Sequence, residues 1–527
     1  MPTLNWIGKE AVVDHHRRVP LRLLECDSEL SAGDPESGNL LVQGDNLEAL
    51  KALLPRYKGQ VKCIYIDPPY NTGNEGWIYN DNVNDPRIKK WLGEVVGKEA
   101  EDLCRHDKWL CMMYPRLALL KEFLTGDGAI FVSVDDTEFH SLRMMMDEIF
   151  GPERWVCTLI WKRRQTSDSR NLNGVSADHE FVLCYGVSNA VRFLGRAKDL
   201  TKYSNTDNDP NGPWMSDNLT GLANVTERPN LHYEIIDPDT QRRYPPHSSR
   251  GWIYGQERMA ELIRNGRILW PKKASGRPRL KRYVSDMLSE TTGFSTILDA
   301  PANVVGTKEL SEMLGPKVFA FPKPHGLIKA LIGQVAGANS FVMDSFAGSG
   351  TTAQAVEALN DDDNGSRRFI LVELDADVAR GITAKRLRAV LERKQGKPGG
   401  FRFCRLGRTL FDAHGEINHD VPFTDLARYV YLIETGVPAA TRPRKDNPLL
   451  GVYQGRAIYL LYNGVLGDKR PAGGNVLTHA VLEALGPHPA GADLPRVIYG
   501  EACRLGDATL QRENVTFRQT PYALREG

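Results

Sequence analysis

The chain has 527 residues, of which 41% are hydrophobic and 25% charged, and its formal net charge is +1. This length predicts about two to four domains, and the balanced charge neither demands nor excludes nucleic acid, so a DNA-binding surface must come from local basic clusters. The sequence shows no run of about 18 apolar residues, no signal-peptide core and no CxxC pair, so we expect a cytoplasmic protein with neither a membrane span nor a metal site.

Strands and helices alternate in the first part of the chain. "GNLLVQGD" predicts a short strand, "NLEALKALLPRY" a helix, and "CIYI" (residues 63–66) a buried parallel strand. "KWLCMMYPRLALLKEFL" predicts a helix with a break at Pro115. "GAIFVSVDD" predicts a strand and "LRMMMDEIF" a helix, and two further strands are expected at "WVCTLIWKR" and "EFVLCYG".

The alternation resumes after an irregular stretch at about residues 163–310. "GLIKALIGQVA" predicts a helix, "SFVMDSFAGSGTT" a strand that runs into a glycine-rich turn, and "TTAQAVEAL" a second helix. "RRFILVELD" predicts a strand and "ADVARGITAKRLRAVLERK" a long helix, while "QGKPGG" is typical of a linker. In the remaining C-terminal part, "RYVYLIETG" and "RAIYLLYNG" are interpreted as strands. This alternation predicts a doubly wound α/β sheet with an insertion.

The sequence Asp67-Pro68-Pro69-Tyr70 follows directly after the strand predicted at residues 63–66. Neither proline can donate to a strand ladder, so the strand ends there and leaves a rigid polar corner at its carboxyl end. Ligands of open α/β sheets bind at the carboxyl ends of the strands. The corner is therefore a candidate reaction site.

The stretch "DSFAGSGTTA" places Gly348 and Gly350 between a strand and a helix, where glycines allow a ligand close to the backbone and to the free N–H groups of the helix. A phosphate-binding P-loop needs Lys-Ser/Thr after its last glycine, and Thr351-Thr352 stand there instead. The spacing fits a dinucleotide site loosely. Glu373, at the end of the next strand, suits a ribose hydroxyl of either a dinucleotide or S-adenosyl-L-methionine.

Taken together, the two motifs resemble those of the amino-methylating DNA methyltransferases. Asp67 precedes Phe346 by 279 residues (346 − 67), an order similar to that of the circularly permuted beta class. Further stretches resemble type III modification subunits, namely "GNLLVQGDNLEALKALLP", "YIDPPYNTGNEGWIYNDN", "DGAIFVSVDD", "HEFVLCYG", "ARYVYLIETG" and "FPKPHGLIKALI", in which Lys323 and Pro324 match a family motif.

The resemblance implies an α/β fold with a Rossmann-like, seven-stranded, S-adenosylmethionine-dependent methyltransferase sheet that is circularly permuted. It implies four regions: a catalytic half at residues 1–162, a target-recognition region at 163–310, a cofactor-binding half at 311–395 and a C-terminal module at 401–527.

The resemblance also implies an activity and partners. The expected reaction transfers a methyl group from S-adenosyl-L-methionine to N6 of an adenine flipped out of double-stranded DNA, as the modification component of a restriction or phage-defence system. The implied partners are double-stranded DNA, a second copy of the chain, and a helicase–nuclease restriction subunit or another defence-system subunit. Three alternatives stay open: an N4-cytosine methyltransferase, a dinucleotide-binding oxidoreductase, and a catalytically silent DNA-binding subunit.

The site residues follow from the two motifs. Asp67 would accept one hydrogen bond from the target amine and the Pro68 carbonyl another, while Pro69 keeps the corner rigid and Tyr70 stacks on the base. The resemblance places the following residues around the methionine part of the cofactor: Asp344, Phe346, Gly348, Gly350, Thr351 and Thr352. It places Glu373 at the ribose. Asp45 either reaches the adenine end or caps the helix that follows it.

Two basic clusters in the central region predict contacts with DNA phosphates. The first comprises Lys162, Arg163 and Arg164, and the second comprises Lys272, Lys273, Arg277, Arg279, Lys281 and Arg282. The aromatic neighbours Trp161, Trp270 and Tyr283 are candidates for stacking on bases. A solvated loop is the alternative for both clusters.

Overall fold

The structure is a computed structural model, and it describes residues 3–72, 90, 93–96, 104–168, 174–247, 249–273, 275–393, 399–412, 414, 416–418, 421–464, 468–491, 494–521 and 524. Most of "NTGNEGWIYNDN", residue 394 at the end of a predicted helix, and residues 395–398 of the predicted linker lie outside these ranges. The chain divides into two compact units, of which the first comprises Met1–Phe193 with Ser295–Gly527 and the second Leu194–Phe294.

The strands in the described ranges are β1 (Arg22–Gly33), β2 (Leu40–Gln43), β3 (Val61–Ile66), β4 (Leu124–Val134), β5 (Trp155–Lys162), β6 (His179–Gly186), β7 (Arg196–Ala197), β8 (Trp214–Asp217), β9 (Ile235–Ile236), β10 (Arg243–Tyr244), β11 (Ile268–Leu269), β12 (Arg279–Tyr283), β13 (Thr291–Thr292), β14 (Ile297–Leu298), β15 (Phe341–Asp344), β16 (Arg368–Glu373), β17 (Gly400–Thr409), β18 (Leu449–Tyr453), β19 (Arg456–Leu460), β20 (Val476–Leu477), β21 (Arg496–Gly500), β22 (Ala502–Cys503) and β23 (Val515–Gln519). The α-helices there are Lys9–Val12, His15–Arg18, Asn46–Tyr57, Arg105–Phe123, Phe139–Phe150, Gln256–Arg264, Asn303–Leu314, His325–Val335, Thr351–Asp363, Ala376–Val378, Ala384–Glu392, Phe423–Thr435, His479–Leu485 and Asp507–Arg512.

The main sheet of the first unit has the strand order β1-β17-β2-β16-β15-β3-β4-β6-β5-β14. Its seven central strands, from β2 to β5 in this order, are those predicted from the apolar runs of the sequence, and the α/β methyltransferase-like sheet is confirmed. Only β6 runs antiparallel to both of its neighbours within these seven. β17, which lies between the edge strand β1 and β2, also belongs to this sheet, although nearly all of its residues fall in the segment that the sequence assigns to the C-terminal module. A disulfide joins Cys26 on β1 to Cys404 on β17.

The centre of the sheet is apolar because both of its faces are covered. Five of the six residues of β3 are buried, as expected for a central parallel strand. The helix Arg105–Phe123 continues through Pro115, so the predicted break at this proline is wrong. Trp109, Leu117 and the proline itself are all buried, and this tertiary packing outweighs the hydrogen bond that a proline cannot form.

The C-terminal part contains one wrong prediction. "RYVYLIETG" is not a strand but the end of the helix Phe423–Thr435, which stops at Gly436 with a φ of 73°. Leu426 and Val430 lie one turn apart and are buried in a local core. "RAIYLLYNG" does contain a strand, β19, in a four-stranded sheet of order β18-β19-β21-β23. Both segments therefore pack within the chain, and neither needs a second copy to cover it.

The second unit is built of short strands around a small core. It contains a three-stranded sheet of order β11-β12-β8. Trp252 and Met259, which lie outside this sheet in the sequence, are among the buried residues of the small core. Tyr283 is also buried, and Trp161 of the first unit is fully buried with its indole N–H donated to Pro301. These two aromatic residues belong to the interior, so their suggested stacking on bases is wrong. Within the described ranges, no helix is long and apolar enough to cross a membrane.

Candidate active site

The Asp67–Tyr70 corner lies at the carboxyl end of β3 and is fixed from behind. The indole N–H of the fully buried Trp109 donates a hydrogen bond of 2.6 Å to the Pro69 carbonyl. The Pro68 carbonyl accepts no hydrogen bond from any residue that the structure describes. The corner thus presents one uncommitted carbonyl acceptor beside the Asp67 carboxylate, which is 17% exposed.

Lys323 occupies the other side of the corner. Its Nζ lies 2.8 and 2.9 Å from the two Asp67 oxygens and 2.9 Å from the Tyr70 hydroxyl oxygen, and its side chain is 5% exposed. Burial lowers the pKa of Lys323, but Asp67 and Glu180 more than compensate, and the net shift is upward. Lys323 is therefore a buried, charged partner of the Asp67 carboxylate.

Glu180, the second residue of β6, completes a buried set of two carboxylates and two cations. Its carboxylate lies 3.1 Å from the Tyr70 hydroxyl and 3.4 Å from Lys323 Nζ, and the guanidinium of Arg163 lies 3.2 Å from its other oxygen. Burial, then Asp67, then Glu180 raise the pKa of Tyr70 far above its ordinary value. Arg163, predicted to contact DNA, is instead paired with a carboxylate of this site.

The sequence assigned no role to Lys323 or Glu180. Lys323 comes from the "FPKPH" stretch and lies 256 residues after Asp67, and Glu180 precedes an ordinary apolar strand segment. A lysine flanked by prolines ahead of an apolar helix was the one available signal. The pairing itself depends on the strand order, which brings β6 and the segment before helix His325–Val335 to the end of β3.

The glycine turn has the backbone conformation that its residues require. Gly348 and Gly350 have φ values of 49° and 81°, in the left-handed region that favours glycine. A Cβ at Gly350 would lie 3.0 Å from the Thr383 methyl, and one at Gly348 would lie 3.2 Å from the Phe319 ring. A side chain at Gly350 would therefore meet the protein itself, and a larger residue would disturb the turn.

A buried arginine that the sequence did not single out fixes the same turn. Arg386 is fully buried, and its Nη1 donates hydrogen bonds of 2.8 Å to the hydroxyls of Ser349 and Thr351. Its Nε donates to Gln354 at 2.9 Å. Burial lowers the pKa of Arg386 to about 10. Arg386 lies in a helix with several basic residues, so only the packing distinguishes it from its exposed neighbours.

Two buried carboxylates face the glycine turn. Asp344 accepts hydrogen bonds from the Thr352 hydroxyl at 2.5 Å and from the Phe346 N–H at 2.9 Å. Glu373 accepts from the N–H groups of Gly348 at 2.8 Å and Asp375 at 2.9 Å. Burial raises the pKa of both carboxyls to about 7. Such a pair favours a ligand with cationic and hydroxyl groups, and it opposes the pyrophosphate of a dinucleotide.

Asp45 caps the helix Asn46–Tyr57, one of the two roles weighed for it. One of its oxygens accepts from the N–H groups of Leu47 and Glu48, and the other lies 3.0 Å from Arg116. Its contact with the adenine end of a cofactor stays a prediction.

A single cleft contains both motifs, although they lie far apart in the sequence. Its empty volume is about 370 Å³, including the part open to solvent. Asp67 and Lys323 line one part of it, and Asp344, Gly348 and Thr351 line another. The carboxyl ends of the neighbouring strands β3 and β15 bring them together, as the alternation of strands and helices predicts.

The predicted DNA-contacting residues differ in whether their side chains already have a hydrogen-bond or ion-pair partner within the protein. In the second unit, Lys272, Lys273 and Arg277 are exposed, and their side chains form no hydrogen bond or ion pair with the described residues. The other members of this cluster already have partners: Arg279 with Ser216, Lys281 with Asp207 and Asp209, and Arg282 with Asp217. In the first unit, Lys162 is exposed and Arg164 is paired with Asp168.

Comparison with known proteins gives the family. Residues 61–385 match the family model described as DNA methylase. The chain is 32% identical over 406 residues to the type III restriction-modification enzyme StyLTI Mod subunit of Salmonella typhimurium, covering 73% of this chain and 60% of the relative. It is 31% identical over 369 residues to the type II methyltransferase M.KpnI of Klebsiella pneumoniae, and the alignment covers 65% of this chain and 82% of the relative.

Among solved structures, a putative DNA modification methylase from Thermus thermophilus, complexed with S-adenosyl-L-methionine, is similar to this chain at 13% sequence identity and a TM-score of 0.33. The alignment covers 70% of this chain and 99% of the solved chain. This likeness is too low to support an argument. The chain spans only about 60% of the length of the StyLTI Mod subunit.

The fold and the site define an α/β protein with a glycine turn at the carboxyl end of one strand and a fixed Asp-Pro-Pro-Tyr corner at the end of the neighbouring strand. The family match extends over both motifs and over the strands that carry them. The chain belongs to the DNA methylase family.

The glycine turn gives a first prediction. We expect Gly348→Val and Gly350→Val each to weaken S-adenosyl-L-methionine binding by about tenfold or more, because a β-branched residue with positive φ costs on the order of 1–3 kcal/mol. Isothermal titration calorimetry measures the affinity. Gly126→Val, where a Cβ meets no atom within 4 Å, is the control. Unchanged affinity in both turn variants would remove the turn from the cofactor site.

Proposed function

We propose that this protein transfers the methyl group of S-adenosyl-L-methionine to N6 of an adenine that is flipped out of double-stranded DNA. The observation that carries this proposal is the single cleft in which the Asp67 corner and the glycine turn meet. The StyLTI relative, a Mod subunit of a type III restriction-modification enzyme, supports the same activity. The oxidoreductase alternative leaves the corner without a function.

The corner can orient the target amine. The lone pair of an exocyclic amine is delocalised into the purine ring, so the nitrogen becomes nucleophilic only when its N–H groups are held out of the ring plane. Asp67 and the Pro68 carbonyl are the two acceptors for these N–H groups, and the rigid prolines and Trp109 hold the acceptors in place. Because the corner lies inside a cleft, the base must leave the duplex to reach it.

The residues at the glycine turn fit S-adenosyl-L-methionine. The buried carboxylates of Asp344 and Glu373 match a ligand with an ammonium group and ribose hydroxyls. Ser345, beside them, has a buried hydroxyl with no hydrogen-bond partner among the described residues. Asp344 would hold the methionine part and Glu373 the ribose. The bound cofactor supplies an electrophilic methyl group on a sulfonium.

The raised carboxyl pKa values predict that cofactor affinity depends on pH. Asp344 is protonated below its pKa of about 7, whereas a cationic ligand favours the ionised carboxylate, so binding releases a proton at low pH. We expect the affinity for S-adenosyl-L-methionine to rise about tenfold from about pH 6 to about pH 8 and then to level off. Isothermal titration calorimetry in buffers at these two pH values measures the affinity. Asp344→Asn is expected to flatten the profile, and an equally steep profile in this variant would contradict the assignment.

Methylation-sensitive long-read sequencing tests the whole proposal. DNA from cells that express the protein is expected to carry N6-methyladenine at one recurrent sequence, and DNA from cells that express Asp67→Ala is expected to carry none. N4-methylcytosine in its place would favour the alternative base. An absence of any methyl mark, together with no labelled-methyl transfer in vitro, would leave a silent DNA-binding subunit.

DNA binding is assigned to the unpaired part of the second basic cluster. We expect replacing Lys272, Lys273 and Arg277 with Gln to weaken DNA binding. The slope of log affinity against log salt concentration is expected to fall in magnitude by about three, because each phosphate contact that is lost no longer releases counterions from the DNA. The matched control replaces Arg282, which is already paired with Asp217. Fluorescence anisotropy at several salt concentrations measures both variants. An unchanged slope in the triple variant would identify the cluster as a solvated loop.

The proposed partners follow from the relatives. The Mod subunits that the chain matches are named as parts of type III restriction-modification enzymes, so a helicase–nuclease subunit or another defence-system subunit is a proposed partner. A homodimer in which one subunit reads DNA and the other modifies it is proposed from the family resemblance alone. A mass near 58.9 kDa by light scattering at micromolar concentration would contradict the dimer.

A further inference from the structure

A second cavity of the first unit shares no lining residue with the candidate active site. It lies where β1 and β17 meet the helices Asn46–Tyr57 and Phe423–Thr435, and its empty volume is about 650 Å³, including the part open to solvent. Leucines form one part of its wall. Four arginines give the cavity its positive charge: Arg22, Arg56, Arg402 and Arg428. An apolar wall beside a few charged side chains is the lining typical of a small-ligand site.

The protein compensates the positive charge of this cavity only in part, since Arg22 is paired with Glu48 at 3.0 Å while other arginines of the cavity are not paired with any described residue. Asp425 is the one carboxylate among the lining residues, and its oxygen lies 3.7 Å from the Arg428 guanidinium. The side chains of Arg56 and Arg402 form no hydrogen bond or ion pair with the described residues, and the Nε of Arg402 is buried. Partly buried arginines are normally paired, so these side chains lack an anionic partner.

Arg428 shows the electrostatic cost of this arrangement. Its side chain is only 15% exposed. Burial, together with the nearby Arg56 and Arg442, lowers the pKa of Arg428 to about 10, although Asp425 opposes the shift. A bound anion would offset both the burial of the guanidinium and its repulsion by Arg56.

We propose that this cavity binds a small ligand that carries a phosphate group on an apolar body. The phosphate would contact Arg56, Arg402 and Arg428, since planar guanidinium groups pair with phosphate oxygens in a bidentate manner. The apolar body would lie against the leucine wall, which includes Leu23 and Leu53. A small ligand fits better than the DNA backbone, because the arginines line a cavity instead of projecting from a surface.

Phenyl phosphate is a suitable probe, because it has both parts of the proposed ligand and none of the groups of a methyl donor. We expect it to bind the full-length protein in calorimetry at fixed ionic strength, and to bind more tightly than either inorganic phosphate or phenol. Arg56→Gln is expected to weaken this binding by about tenfold or more, as the loss of a charge-assisted hydrogen bond predicts. Arg444→Gln, an exposed arginine paired with Asp446, is expected to leave it unchanged.

Thermal unfolding separates lost binding from lost folding. Because Arg56 forms no hydrogen bond or ion pair with the described residues, the unliganded Arg56→Gln protein is expected to melt no lower than the wild type. Phenyl phosphate is expected to raise the Tm of the wild type and not that of the variant. No binding of phenyl phosphate to the wild type at millimolar concentration, or equal binding to Arg56→Gln, would overturn the proposal. Weaker binding of a DNA duplex to Arg56→Gln, without phenyl phosphate binding to either protein, would assign the cavity to DNA instead.

Discussion

Asp67→Ala is expected to reduce methyl transfer by about 10³-fold or more while S-adenosyl-L-methionine binding persists. In the proposed reaction, the carboxylate is one of the two acceptors for the target amine, and the loss of one fixed electrostatic partner of a transition state typically costs about 10²–10³-fold. Without the carboxylate, the amine nitrogen is also less well aligned with the methyl group, and this misalignment adds to the loss of rate. Transfer of a labelled methyl group to DNA measures the activity, and calorimetry measures the cofactor affinity.

Two further variants show whether the effect is specific to this carboxylate. Asp67→Asn keeps the size of the side chain and one acceptor oxygen, so we expect activity between those of the wild type and Asp67→Ala. Asp136→Ala removes an exposed carboxylate just beyond the carboxyl end of the neighbouring strand β4 and is expected to retain full activity. Activity of Asp67→Ala within about tenfold of the wild type would remove the corner from the reaction.

The sequence predicted the central strands because a buried parallel strand is an uninterrupted apolar run. It did not predict β1, whose "RLLECDSELSAG" mixes exposed polar residues with half-buried ones at the edge of the sheet. It also assigned "RYVYLIETG" to a strand, because aromatic and β-branched residues favour strands on average. The helical spacing of Leu426 and Val430 was the competing signal, and the packing of the local core decides in favour of the helix.

At the site, the sequence located the motifs but not their charged partners. The Asp67 corner and the glycine turn are local features, set by prolines at a strand end and by glycines with positive φ. The ion pairs of Lys323 with Asp67 and of Glu180 with Arg163 depend instead on which strands become neighbours. A list of basic residues cannot distinguish Arg163, which is paired inside the site, from Lys162, which is exposed.

Lys323→Met is expected to lower kcat by about 10²–10³-fold and to move the pH–rate profile upward. The substitution leaves Asp67 and Glu180 as neighbouring carboxylates with one remaining cation, Arg163. Burial and like-charge repulsion then raise the pKa of the pair, and a protonated Asp67 accepts the amine N–H groups poorly near neutral pH. Raising the pH ionises Asp67 again, so the variant is expected to recover activity in the alkaline range, where the wild type stays constant.

A double variant tests whether Lys323 acts through charge. Lys323→Met/Glu180→Gln removes one cation and one carboxylate together, so the remaining Asp67 and Arg163 balance each other, and we expect its pH profile to return toward that of the wild type. Because removing one partner of a buried ion pair costs about 3–5 kcal/mol, unfolding is measured for each variant and activity is assayed well below its Tm. A Lys323→Met protein that is folded and retains the wild-type pH profile would show that Lys323 only fills space. An upward shift that the double variant reverses would establish Lys323 as the residue that keeps Asp67 ionised for catalysis.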